Sequence, residues 1–204
     1  MELEVLNNGM FGSNSYMLID KSEAVLIDAG VPTKDVLGVL HKSKAKLKYI
    51  LLTHGHIDHI CTVDDIREST NAHVLIHEKD SECLINGERN LSSSFMKPYA
   101  YKKADQELTD GEDVVFGSTK IRVIYTPGHS KGGCCFLVGD MLFSGDTLFL
   151  SSIGRTDLYG GDFKELISSI KEKLLVLPED TKVYPGHGND TTIGIEIRNN
   201  PFLG

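Results

Sequence analysis

The chain has 204 residues, 40% of them hydrophobic and 25% charged, which suits a soluble globular protein with one sizeable core. Its formal net charge of −8 and pI of about 5.4 exclude a phosphate-neutralising face, because lysines gather only in short clusters at 42–48 and 102–103; no nucleic-acid partner is expected. No apolar run approaches the ~18 residues of a membrane span, and the start, Met-Glu-Leu-Glu, lacks the basic and then apolar character of a leader, so no membrane partner is expected and the inferred location is cytoplasmic.

Three short strands are expected at 3–6, 16–19 and 24–27, separated by Asn-Asn-Gly and Asp-Lys-Ser turns as in an antiparallel meander. Asp28-Ala-Gly30 closes the third. Pro32 and Thr33 mark a helix start, with Thr33 as the expected N-cap and the helix running to about Lys42. The apolar run 47–52 reads as a buried strand, followed by a histidine-rich loop, a helix at 61–69, a strand at 74–76 and a helical stretch at 79–85. Residues 86–105 look irregular. A loop of that length is often a lid or binding loop, so Tyr99 and Tyr101, with lysines beside them, are candidates to meet an anionic substrate; a surface excursion without ligand contact is the competing reading.

Strand signals return at 114–116, 121–125, 134–138 and 141–143, each closed by Gly or Asp. A helix is expected over 163–177, with Asp162 as N-cap and Pro178 as its stop, then a strand at 182–184 and a last helix over 191–199. The two halves share an order of antiparallel strands, a helix, then a strand ending in a histidine loop. Such a unit stacks two sheets face to face with helices outside. Cys61, Cys83, Cys134 and Cys135 show no Cys-x-x-Cys spacing, and neighbours in a strand point to opposite faces, so free thiols are expected.

Five of the eight histidines, His54, His56, His59, His129 and His187, follow a strand within a few residues on glycine-rich loops, and Asp58 and Asp146 stand in the same kind of place. Crowded imidazoles and carboxylates are costly unless a cation holds them. This donor set suits Zn, Fe(II), Mn or Co and is too nitrogen-rich for Mg or Ca. His41, His73 and His77 fall inside expected helix or strand and carry no assigned role.

Thr53-His-Gly-His-Ile-Asp-His59, Thr126-Pro-Gly-His129, Ser144-Gly-Asp-Thr147 and Tyr184-Pro-Gly-His187 together resemble the metallo-β-lactamase fold superfamily over most of the chain. Gly145-Asp-Thr-Leu-Phe149, Ser152-Ile-Gly-Arg-Thr-Asp-Leu158, Thr191-Thr-Ile-Gly194 and Asn200-Pro-Phe-Leu203 resemble its short glyoxalase II-like hydrolases. The resemblance implies an α+β fold, a four-layer αβ/βα sandwich of two stacked mixed sheets with helices on the outer faces. It implies one domain over 1–204 without the carboxyl-terminal helical domain that helps longer relatives bind glutathione. By the same resemblance His54, His56 and His129 would hold one divalent ion, Asp58, His59 and His187 a second, and Asp146 would bridge them. Zinc is the first expectation, with iron or manganese also suited.

The implied function is hydrolysis of a thioester of the hydroxyacylglutathione kind by a hydroxide bridging two metals, with Asp58 and Asp146 as catalytic carboxylates. Two divalent ions outweigh two carboxylates and one hydroxide, leaving positive charge for a developing oxyanion. A thiol of pKa about 8.5 leaves without prior protonation, so no general acid is demanded. Arg155 stands where longer relatives carry a basic residue for glutathione; it is expected to bind a substrate carboxylate, or else to pair with Asp157 or Asp162. The alternative is a persulfide dioxygenase of the same fold, with one iron on two histidines and an aspartate. Such enzymes share the Gly-Arg-Thr-Asp turn, but Pro185-Gly-His-Gly188 is more like the hydrolases. A β-lactamase is disfavoured by the missing leader, and a nuclease by the acidic charge.

Overall fold

Side chains along residues 15–20 alternate between two apolar layers: Tyr16 and Leu18 enter one, Met17 and Ile19 the other. A strand buried on both faces requires this alternation. The computed structural model describes residues 1–204 and builds two six-stranded sheets on the same rule. In chain order the first half holds β1 (Glu2–Leu6), β2 (Ser15–Asp20), β3 (Glu23–Ile27), α1 (Thr33–Ser43), β4 (Lys46–Leu52), α2 (Ile57–Ile60), α3 (Val63–Thr70), β5 (His73–His77), α4 (Ser81–Leu84), α5 (Ser92–Phe95) and β6 (Gln106–Leu108). The second half holds β7 (Asp113–Phe116), β8 (Thr119–Tyr125), β9 (Cys134–Val138), β10 (Met141–Gly145), β11 (Leu148–Phe149), β12 (Ser152–Ile153), α6 (Phe163–Ser169), β13 (Lys182–Pro185), β14 (Thr191–Thr192) and α7 (Ile193–Asn199).

The first sheet runs β1-β2-β3-β4-β5-β6 and the second β14-β13-β10-β9-β8-β7. β1, β2 and β3 pair antiparallel, as the meander predicts, and β3 then pairs parallel with β4 across α1. The second half repeats the device: β9 and β10 are antiparallel, and β10 pairs parallel with β13 across α6. Leu18, Ile27 and Leu51 of one sheet pack on Phe116, Phe136 and Phe143 of the other to make the central layer. Outside the first sheet, Val36, Leu40, Val63 and Ile66 of α1 and α3 cover Leu26, Ile50 and Ile76. Outside the second, Leu166, Ile170 and Leu174 cover Leu142 and Val183. The architecture is the expected α+β four-layer sandwich. Cys134 lies in the central layer and Cys135 in the outer one, on opposite faces as the strand period requires. No helix is long and apolar enough to cross a membrane.

Several elements differ from the sequence reading. Pro32, not Thr33, is the N-cap of α1, and no side chain caps it; the fixed φ of proline sets the entry instead. The histidine loop contains the short helix α2, and α3 begins two residues later than expected, at Val63. The stretch at 79–85 divides into a 3₁₀ turn, Glu78–Asp80, and α4. The irregular segment 86–105 contains α5 and leads into β6, which adds parallel to β5. The helix expected over 163–177 is α6 followed by a π-helical stretch, Ile170–Leu174. Leu166, Ile170 and Leu174 are four residues apart, and the wider π turn keeps that spacing on one face.

Candidate metal centre

The donors collect at one end of the sandwich because β4, β10 and β13 all deliver their carboxyl ends there. Thr53 follows β4, and its N–H and hydroxyl both donate to Asp28, to Oδ1 and Oδ2 at 2.8 Å each. His54 and His56 come next, and Asp58 and His59 sit on α2. Asp146 follows β10 and His187 follows β13. Gly186 is needed there: a Cβ on it would lie 2.2 Å from Asp146 Oδ1 and 2.7 Å from His59 Cε1. Asn14 from the first half donates through Nδ2 to the carbonyls of Pro185 and Gly188, each at 3.0 Å, and pins the His187 loop.

Hydrogen bonds at the outer nitrogens decide which ring atoms face inward. The Thr53 hydroxyl has donated to Asp28, so at 3.0 Å it accepts from Nδ1 of His54. That leaves His54 Nε2 with a lone pair, buried and without a partner. His59 Nδ1 donates to Asp28 Oδ2 at 2.8 Å, and His129 Nδ1 donates to the Arg155 carbonyl at 2.7 Å. Their Nε2 atoms therefore also point lone pairs inward. His129 Nε2 lies 2.9 Å from His56 Nδ1, and His59 Nε2 lies 3.2 Å from His187 Nε2. Asp146 stands between the two groups, with Oδ1 3.3 Å from His59 Nε2 and Oδ2 3.6 Å from His129 Nε2. Asp58 Oδ2 is 3.1 Å from His187 Nε2.

Facing lone pairs repel unless a cation lies between them, so this donor set fits metal ions. The ligand atoms of His54, His56 and His129 lie within 4.8 Å of one another, as do those of Asp58, His59 and His187, and those of His54, His59 and Asp146. Burial, reinforced by the neighbouring imidazoles, lowers the pKa of His54 well below its ordinary value and that of His56 to about 3. Both stay neutral and able to donate. Burial opposes charge on His59 too, but Asp146 and Asp28 outweigh it and raise its pKa. The same carboxylates that hold a proton there would hold a metal in its place. Burial likewise opposes ionisation of Asp146, yet the imidazoles, His59 first, keep its pKa well below the usual carboxylate range.

A cavity of about 500 Å³ opens on His56, Asp58, His129, Asp146 and His187. Arg155 lines it, and its guanidinium is at the same time paired with Asp157, at 2.7 and 2.8 Å. Tyr99 and Tyr101 do not reach it, which corrects the expectation that they meet substrate. Tyr101 is buried in the core beneath α3, and both rings belong to a separate groove with Met10 and Cys61. Their lysine neighbours misled the sequence reading: Lys102 Nζ pairs with Glu68 on α3.

Three residues of the site escaped the sequence reading. Asp28, beyond β3, buttresses both Thr53 and His59; its place at a strand end, like that of Asp146, was the available signal. Asp80 is buried and accepts from Gly55 N at 3.1 Å, Ser130 Oγ at 2.7 Å and Gly132 N at 2.6 Å, tying the two histidine loops together. Nothing local to Asp80 announces this. Phe11, on a turn before β2, lines the cavity beside Phe95.

Residues 8–187 match the family model described as Metallo-beta-lactamase superfamily. An uncharacterized protein of Mycobacterium leprae is 40% identical over 210 residues, covering 96% of this chain and 95% of its own. The hydroxyacylglutathione hydrolase GloC of Haemophilus influenzae is 32% identical over 212 residues, covering 100% and 98%. Among crystal structures, the B3 metallo-β-lactamase BLEG-1 superposes with a TM-score of 0.94 at 40% identity, covering 99% of both chains. TTHA1623 in a di-iron-bound form gives 0.87 at 35% identity, covering 98% of this chain and 100% of the other. ETHE1 from Myxococcus xanthus gives 0.84 at 30% identity, covering 98% and 84%. With donors, fold and family model in agreement, the chain belongs to the metallo-β-lactamase superfamily.

Proposed function

We propose that the protein is a dinuclear metal-dependent hydrolase that cleaves a thioester, with a small hydroxyacylglutathione-like molecule as the substrate type. The observation that carries this reading is the pair of complete donor sets, His54, His56, His129 and Asp58, His59, His187, with Asp146 between them at the floor of one cavity. Two ions held there would acidify water to a nucleophile at neutral pH and polarise the carbonyl. Zinc is the first candidate; the di-iron form of TTHA1623 is a reason to assay iron as well. Asp58 and Asp146 orient the donors and balance their charge. Arg155 offers a cation at the cavity wall for a substrate carboxylate, at the cost of loosening its pair with Asp157. The likeness to GloC supports the substrate class. Four unpaired cysteines suit a reducing, cytoplasmic setting.

A second reading, a mononuclear iron persulfide dioxygenase, is compatible with the Gly154-Arg-Thr-Asp157 segment at the cavity wall, which both kinds of enzyme share. Metal analysis of the purified protein, with lactoylglutathione hydrolysis and oxygen uptake on glutathione persulfide measured side by side, separates the two. Two metals per chain with hydrolysis and no uptake supports the proposal. One iron with rapid uptake overturns it. A cephalosporin assay, prompted by the likeness to BLEG-1, completes the set, and lactam cleavage without thioester cleavage would also overturn it.

A further inference from the structure

Besides the donors, the cavity is lined largely by apolar side chains. Phe11, Leu91, Phe95, Phe149 and Leu158 line it, and Arg155 is the only lysine or arginine among the lining residues. Phe11 and Phe95 come from separate segments, yet their rings meet with centroids 4.7 Å apart. Each is 59% exposed, so the pair is not core packing. The backbone beneath this wall is strained: Phe11 has φ +54° and Leu91 φ +68°, a conformation bulky side chains rarely adopt and one that gathers at ligand clamps. Both turns are nonetheless anchored. Met10 N donates to the Gly30 carbonyl at 3.0 Å, and Ile57 N, inside the donor loop, donates to the Asn90 carbonyl at 2.8 Å. The volume falls in the range of about 300–1,000 Å³ typical of small-molecule sites, and such sites take apolar groups along walls of this kind.

We propose that Phe11, Leu91 and Phe95 form an apolar clamp that selects substrates carrying a bulky alkyl or aryl group directly beside the hydrolysed bond. The inference rests on reading this cavity as the thioester site. A polar hydroxyacyl group gains nothing from two exposed rings, whereas an alkyl or aryl group packed on them removes apolar surface of both partners from water.

The test uses the metal-loaded protein and two thioester series. One lengthens the acyl group on N-acetylcysteamine from acetyl to hexanoyl, and the other lengthens the thiol of an acetyl thioester from methyl to hexyl, which distinguishes the two sides of the bond. In at least one series kcat/KM should rise about threefold per methylene, near the transfer value of a buried CH₂. Calorimetry with the uncleavable S-hexyl and S-methyl thioethers of N-acetylcysteamine reads binding without turnover, and the hexyl compound should bind at least about tenfold tighter. Phe95→Ala and Phe11→Asn should each cut both preferences about threefold or more; asparagine tolerates the left-handed backbone at position 11, and thermal melts check folding. If one variant fails to fold, the other decides. Flat series with equal thioether binding overturn the clamp, as does a preference that survives both substitutions. Thioether selectivity lost in the variants, with no thioester cleaved at all, keeps the clamp and removes the hydrolase reading.

Discussion

Asp28 holds a left-handed backbone conformation, φ +60°, and from it accepts hydrogen bonds from Thr53 N, Thr53 Oγ1 and His59 Nδ1. It does not line the cavity at the donors, but it sets the tautomer of His59 directly and that of His54 through Thr53. Asp28→Asn keeps a residue that tolerates this backbone while weakening the acceptor, so metal affinity should fall by about 10–100-fold, read by chelator competition; unchanged affinity would sink the buttressing role. Asp20 gives a pH prediction remote from the metals. It accepts from Ser118 N, Ser118 Oγ and Thr119 Oγ1 at 2.6, 2.8 and 3.0 Å, and these bonds lower its pKa to about 2. A carboxyl whose folded pKa lies below its unfolded value adds stability above the unfolded value, and that stability is lost as pH falls toward 2. Urea midpoints should drop for the wild type between about pH 4 and pH 2, and Asp20→Ala should be less stable at pH 7 with a shallower acid slope.

At the scale of elements, strand ends and caps set where side chains arrive. Asp162 is the N-cap of α6 and its Oδ1 accepts from Glu165 N at 3.0 Å, as the sequence predicted. Asp162→Ala should cost about 1 kcal/mol in denaturant unfolding, and an unchanged midpoint would show that the backbone bond from Asp162 N to the Gly128 carbonyl carries the junction instead. At the last helix the cap is Thr192, whose Oγ1 accepts from Ile195 N at 3.2 Å. α7 also carries Glu196, fully buried, which accepts from Ser151 N, Thr191 Oγ1 and Asn200 Nδ2. Through Ser151 that helix holds the β11–β12 hairpin, and with it Phe149 and Arg155 at the cavity wall.

For the whole molecule, the donors come from both halves: His54, His56, Asp58 and His59 from the first sheet's end, and His129, Asp146 and His187 from the second's. Metals bound between them would cross-link the halves and stabilise the native state by mass action, about 4 kcal/mol at a thousand times the dissociation constant. Removing metal with a chelator should therefore lower the melting temperature by several degrees along with activity, and readdition of zinc should restore both. A melting curve insensitive to the chelator would contradict a site shared between the halves.

The amino-acid order alone determined the strand-helix rhythm, the doubled layout and the identity of the donor loops, because each is written locally. Apolar alternation marks a strand buried on two faces, and a glycine beside a histidine marks a sharp turn at its end. The same locality explains the errors. A threonine after Pro32 looks like a cap whether or not its hydroxyl bonds, and two tyrosines among lysines look exposed although α3 covers one of them. Only the tertiary structure decided that Asp80 would reach Gly132, 52 positions away, that Asp28 would stand behind His59, and that Phe11 would meet Phe95 above the donors. Those contacts join residues with no shared period or spacing: parallel pairing of β3 with β4 sets Asp28 behind His59, the order of strands within the first sheet brings the Phe11 and Phe95 loops together, and stacking of the two sheets brings Asp80 to Gly132.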